Sequence, residues 1–145
     1  MALAEEFDVR IVTPGRAQIE YKVERVHTWA KDGWVEIHPD HASIAYALGQ
    51  GTSTFKLVDG SDLKVGTFTG IAHFHRNLLE IFSPNIEYAE EVDVDRAKSS
   101  LHRARQRLAG RDPQVSKKKL EWQRAIDSRD RAIVRLGLKG INVDE

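Results

Sequence analysis

Arginine recurs at helical spacing in two places. Arg96, Arg103 and Arg107 fall near one face of a helix, and Arg131 and Arg135 stand at i, i+4 on another. Guanidinium groups pair with phosphate or carboxylate oxygens in a bidentate way and stack on planar rings. Two such faces brought together would suit a nucleotide or an acidic partner surface; the alternative is an ordinary charged helix surface. A second cluster is His73 and His75, alternating on one strand face, with Glu80 across the following turn. Two imidazoles and a carboxylate can hold a divalent transition metal, or they can line a solvated strand face. His38 and His41 bracket Pro39-Asp40, where proline makes the spacing irregular and a turn with surface histidines is the simpler outcome. The sequence carries no Gly-x-Ser-x-Gly, P-loop or dinucleotide fingerprint. Nothing in the order of its Ser, His and Asp residues singles out a catalytic triad.

These residues need elements to position them, and hydrophobic periodicity supplies two kinds. Phe7, Val9 and Ile11 alternate with polar neighbours up to a Pro14-Gly15 turn, and Ile19, Tyr21 and Val23 alternate again. The pattern predicts further strands at Val26–Trp29, Trp34–His38, around Phe55 and Leu57, and at Leu63–Thr67, with Asp59-Gly60 as a hairpin turn. Ile71–His75 and Leu78–Phe82 flank Arg76-Asn77, where Asn tolerates a left-handed turn. Beyond this the spacing changes to that of helices. Asp93 is the expected N-cap of a first helix carrying Ala97, Leu101, Ala104 and Leu108, stopped near Gly110. Asp112-Pro113 reads as the start of a second helix with Trp122, Ile126, Ile133 and Leu136 on its apolar stripe, ended by Gly137 and Gly140. The fold class expected is α+β: an N-terminal antiparallel β-sandwich over residues 1–88, then a C-terminal antiparallel α-helical hairpin over 89–145.

Composition supports that division. The 145 residues carry 22 Lys+Arg, 22 Asp+Glu and no Cys. Residues 1–88 hold 8 basic and 12 acidic residues and ten of the eleven aromatics, whereas residues 89–145 hold 14 basic and 10 acidic. Absence of cysteine excludes disulfides, thiol nucleophiles and cysteine-based metal centres. Zero net charge argues against nucleic acid as a partner. No run approaches the roughly 20 apolar residues of a membrane helix. The acidic start MALAEEFDVR predicts neither a secretory signal nor a transit peptide.

The order of features resembles the epsilon subunit of bacterial F-type ATP synthases (delta in mitochondria). Phe7 to Pro14 resembles that family's opening strand and turn, and Gly33-Trp34-Val35-Glu36-Ile37-His38-Pro39-Asp40-His41-Ala42 its Gly-rich signature ending in Pro-x-His-Ala. Phe68 to Ile81 resembles its aromatic hairpin, with the paired glycine reduced to Gly70. Glu91 to Ala97 resembles the motif that opens its first C-terminal helix. Trp34 and Glu36 depart from the signature, which has an acidic residue and a glycine there.

The resemblance implies a non-catalytic rotor subunit that couples proton transport to ATP synthesis. Its partners would be the gamma subunit and the c-ring, with Trp34 and His41 at that contact, and the alpha/beta catalytic head when the hairpin extends to inhibit hydrolysis. It implies no required cofactor and no metal, but a regulatory ATP held by Glu87, Val92, Asp93, Arg96, Ala97, Arg103, Arg131 and Arg135. The polar hairpin connection carries Lys117, Lys118 and Lys119, which could meet acidic loops of the head or form a solvated turn. The subunit would be peripheral on the cytoplasmic face of the bacterial inner membrane, touching the membrane only through the complex. The competing expectation is a small metal-binding protein: His73, His75 and Glu80 stand in a His-x-His-x4-Glu order similar to the first metal motif of cupins, without the later motif that completes their ligand set.

Overall fold

Strict alternation makes Phe7–Val12 a strand with Phe7, Val9 and Ile11 buried on one face. The computed structural model describes residues 3–110 and 119–143. It divides into two compact units, Met1–Tyr88 and Ala89–Glu145.

The first unit is a nine-stranded β-sandwich: β1 Phe7–Val12, β2 Ile19–Ala30, β3 Gly33–Ile37, β4 Ile44–Ala47, β5 Gly51–Leu57, β6 Asp62–Thr67, β7 Ile71–His75, β8 Leu78–Phe82 and β9 Ile86–Tyr88. The ladder runs β4-β7-β8-β1-β2-β5-β6-β9, with β3 also on β2. Pairing is antiparallel except between β1 and β8, which run parallel with Val9 opposite Leu79. The sandwich is antiparallel as expected, apart from that one pair.

The long strand β2 organises the unit. Its first half pairs with β1, Phe7 opposite Val23, and its second half with β3, Val26 opposite Ile37. Between these halves the register against β5 shifts at Val23/Arg25, a bulge that bends the strand. Val9, Val23, Val26, Ile37, Phe55, Phe74, Leu79 and Ile81 are wholly removed from solvent in the resulting core. Close approach requires glycine at Gly70 and Gly51, among other positions. At Gly70, with φ 141°, an added Cβ would meet the backbone oxygen of Phe82. At Gly51 it would meet the indole of Trp29, which lies over β5 and donates from Nε1 to the Thr52 carbonyl at 3.1 Å.

Among the described residues the second unit holds a 3₁₀ turn, Ala89–Glu91, and two helices, α1 Val94–Leu108 and α2 Lys119–Leu138. Asp93 caps α1 as expected: its Oδ1 accepts from the Arg96 N–H at 3.1 Å. The helix ends at Leu108 with Ala109 as its C-cap, followed by Gly110 at φ 72°. The expected start of the second helix at Asp112-Pro113 lies outside the described residues, as do Lys117 and Lys118.

The hairpin contact is built from small residues, with Ala97 and Leu101 packed on Ala132 and Leu136. Trp122, Ile126 and Ile133, expected on the buried stripe, are only half-buried, whereas Ala125 and Ala132 are fully buried. Alanine at the contact lets the helices approach closely and leaves the larger side chains at its rim. Gly137 does not stop α2, which continues to Leu138; Gly140, at φ 75°, does. The end is a Schellman cap: Ile141 N–H reaches the Leu136 carbonyl at 2.9 Å and Gly140 N–H the Gly137 carbonyl at 3.0 Å. Ile141 and Val143 then fold back onto the hairpin core. No helix among the described residues is long and apolar enough to cross a membrane.

Candidate functional site

Helical periodicity aligns the arginines, and pairing of the helices brings two lines of them together. A groove of about 270 Å³ between α1 and α2 is lined by Ser100, Arg103, Ala104 and Arg107 from one helix and Ser128, Arg131 and Arg135 from the other. Both helices contribute the same spacing, Ser-x-x-Arg-x-x-x-Arg. Among the described residues no carboxylate lines the groove. Two acids of α2 are engaged elsewhere: Asp127 accepts from Gln123 at 3.0 Å, and Asp130 pairs with Arg129 at 3.0 Å. Arg103 Nη2 reaches Ser100 Oγ at 3.5 Å, and Arg131 Nε reaches the Asp127 carbonyl at 3.4 Å. These contacts hold two guanidinium groups at the groove without neutralising them.

Of the residues expected around a nucleotide, Arg103, Arg131 and Arg135 therefore converge. Val92, Asp93, Arg96 and Ala97 stand together at the beginning of α1, apart from the lining. Asp93 is occupied by the helix cap, Arg96 is exposed, and the Ala97 methyl is packed between the helices. Glu87 lies in the first unit, on β9 opposite Gly66. Four lining residues were not among the expected ligands: Ser100, Ala104, Arg107 and Ser128. Arg107 was legible as the helical repeat of Arg103, and the serines only through the repeated spacing.

In the sandwich, Trp34 is 59% exposed on the β2–β3 hairpin. It stands opposite Trp29 and stacks on His27, with ring centroids 5.2 Å apart. His41 is exposed in the β3–β4 loop, edge-on to the buried Phe74 at 6.0 Å. Next to it Asp40 takes a left-handed φ of 63° and closes a clamp. Its carboxylate accepts from Asn77 Nδ2 at 2.9 Å and from the Ala4 N–H at 2.8 Å, while its own N–H donates to Asn77 Oδ1 at 2.7 Å. The Asn77 amide, and then the Ala4 amide, hold the Asp40 carboxyl below the usual carboxylate range. A carboxyl lowered on folding contributes its full stabilisation above the unfolded value, near 3.9, and loses it as pH falls through the lower folded value. The Ala4 amide resonance is accordingly expected to titrate with a midpoint below that of an ordinary aspartate; a midpoint at or above it would show the clamp open in solution.

His73, His75 and Glu80 do share a sheet face, with His73 opposite Glu80. They do not make a metal centre. Glu80 is paired with Arg10 Nη1 at 3.3 Å, and His75 Nδ1 is bonded to Ser43 Oγ at 2.8 Å. Among the described residues no group of three His, Asp or Glu side chains is placed to hold a metal ion. The cupin-like expectation fails on that geometry: the carboxylate that would complete it is taken by a guanidinium from β1, a strand remote in sequence.

Comparison with known proteins agrees with the fold. A sequence model of the family described as ATP synthase, Delta/Epsilon chain, beta-sandwich domain matches residues 6–89. The ATP synthase epsilon chain of Clostridium botulinum (strain Eklund 17B / Type B) is 29% identical over 140 residues, covering 97% of this chain and all of that one. The ATP synthase epsilon chain of Carboxydothermus hydrogenoformans is 32% identical over 111 residues, 77% of this chain and 82% of the relative. Among solved structures, a chain of the Euglena gracilis mitochondrial ATP synthase superposes with a TM-score of 0.74 over 97% of this chain and 82% of that one; at 14% identity this likeness is one of fold. Sandwich, helical pair and sequence together place the chain in the ATP synthase delta/epsilon family, as a non-catalytic subunit of the central stalk.

Proposed function

We propose that the chain is the rotor subunit that couples proton transport to ATP synthesis, with its hairpin acting as a nucleotide-responsive brake on hydrolysis. The sandwich docks on the gamma subunit and the c-ring, with Trp34 and His41 at the contact. Trp34, exposed and held by its stack on His27, has the character of an interface anchor. The hairpin exchanges between two states. Closed, it holds ATP, with Arg103, Arg131 and Arg135 toward the phosphates and Val92, Asp93, Arg96 and Ala97 completing the site. Extended, it reaches the alpha/beta head and blocks hydrolysis. ATP then favours the closed state by binding it better. The subunit sits peripherally at the cytoplasmic face of a bacterial inner membrane and reaches the membrane only through the complex.

The observation that carries the regulatory part is the convergence of guanidinium groups from both helices on one groove. Such a cluster repels itself when empty and is relieved by a bound polyanion. The test is reconstitution with an alpha–beta–gamma head lacking its epsilon subunit, using the full chain and a truncation after Glu91. Stoichiometric co-migration of both, with hydrolysis lowered only by the full chain and restored by millimolar ATP, is the expected result. Co-migration without inhibition would remove the brake, and failure to bind a cognate head would remove the stalk role as well.

A further inference from the structure

The core of the hairpin is small and lies toward one end. Its buried members are Ala97 and Leu101 from the first half of α1 and Ala132 and Leu136 from the second half of α2. Two of these four are alanine, which buries little apolar area, and helices of this length depend on packing to persist in water. The chain then adds to that core after α2 has ended. Gly140, at φ 75°, reverses the backbone, and the Ile141 N–H donates to the Leu136 carbonyl at 2.9 Å. Ile141 and Val143 settle half-buried on the cluster, while Asn142 between them is exposed. Among the described residues this short tail supplies two of the eight apolar side chains at the contact. We infer that residues 140–143 are a latch, which lies over the apolar seam of the two helices and holds the hairpin closed.

This rests on the two-state hairpin proposed above and names the segment that sets its balance. When the helices part, the cluster dissolves and Ile141 and Val143 lose their seat. Their burial therefore favours the closed state alone, which is what lets it shift the equilibrium. The latch is also built to release locally. Gly137 weakens the last turn of α2, and the cap bonds stay within that turn: Lys139 N–H to the Leu136 carbonyl at 3.1 Å and Gly140 N–H to the Gly137 carbonyl at 3.0 Å. The tail can lift without disturbing the helix before it.

The experiment uses the full chain, which has no cysteine. Ala132→Cys places one thiol at a fully buried point of the helix contact, where a thiol reagent reaches it only when the hairpin opens. The labelling rate then reports even rare opening. Ile141→Ser/Val143→Ser removes the apolar side chains and should raise the rate about tenfold or more. Gly140→Val keeps them but penalises the left-handed turn that aims them, and should raise it by a similar factor of about ten. Asn142→Ser, at the exposed position, should change it by less than about twofold. Helical circular dichroism should be retained in all three. Rates within twofold of the parent in both tail variants would overturn the latch, and so would loss of the helical signal in both, which would make the tail part of the fold and not of its closure. With the alpha–beta–gamma head, the tail variants should inhibit hydrolysis at correspondingly lower concentration. Faster labelling without stronger inhibition would keep the latch and overturn the brake.

Discussion

An Arg103→Ala/Arg131→Ala variant is expected to lose ATP affinity by a factor on the order of 10²–10⁴ while keeping its helical circular dichroism. Each guanidinium comes from a different helix and lines the same groove. A hydrogen bond to a charged group contributes about 1.5–3 kcal/mol, and two removed together give about 3–6 kcal/mol if they act independently. Neighbouring sites in one cluster rarely add cleanly, which sets the width of the range. The matched control is Arg129→Ala. Arg129 is on α2 too, but it pairs with Asp130 at 3.0 Å and lines a different cavity beside Leu108 and Ile133. It should change ATP affinity by less than about threefold, because an exposed ion pair is worth little. Equilibrium dialysis against labelled ATP decides between the two. Equal losses from both variants would mean that ATP responds to the general positive charge of the hairpin rather than to the groove.

Phe74→Ala should cost the sandwich about 3–5 kcal/mol, the usual range for an aromatic removed from a core. Phe74 is wholly buried, stands opposite Ile44 and Leu79 in the sheet, and meets the Phe7 ring edge-on with centroids 5.3 Å apart. That loss is a large part of the 5–15 kcal/mol that holds an ordinary domain together. In urea the transition of the sandwich should move down by roughly 1–3 M. His41 also rests edge-on against this ring, so the proposed docking end loses its floor. The variant should therefore bind the stalk less tightly even at temperatures where it is still folded. A urea shift below about 0.5 M would show that the core repacks into the space.

Much of this architecture was legible where a local period extends over several residues. Phe7, Val9 and Ile11 announce β1, and Asp59-Gly60 announces the turn between β5 and β6, because alternation and turn chemistry are properties of neighbouring residues. Strands β4 and β9 were not read: four and three residues are too few to establish a period. The parallel pairing of β1 with β8, and with it the capture of Glu80 by Arg10, joins residues 70 apart in sequence and leaves no local trace. That contact is what separates a solvated strand face from a metal-binding one. In the helical unit the opposite holds for the arginines, whose i, i+4 spacing gave their faces directly. Which serines accompany them depended on how the two helices cross, and which apolar residues meet depended on alanine being small enough for close approach. Ala125 and Ala132 are buried where Trp122 and Ile126 had been the more conspicuous candidates.

The long strand β2 has a mechanical consequence. Its 12 residues pair with β1 at one end and with β3 at the other, and at about 3.3 Å per residue it reaches nearly 40 Å. A force delivered at the Trp34 hairpin is carried to the β1 end along one covalent backbone. The hydrogen bonds on its flanks lie across that line, so they share the load in shear instead of parting one after another. A rotating part built in this way is stiff along the strand and compliant at the Val23/Arg25 bulge. Under a twisting load, strain would gather at that bulge, leaving the packed interiors on either side of it undistorted.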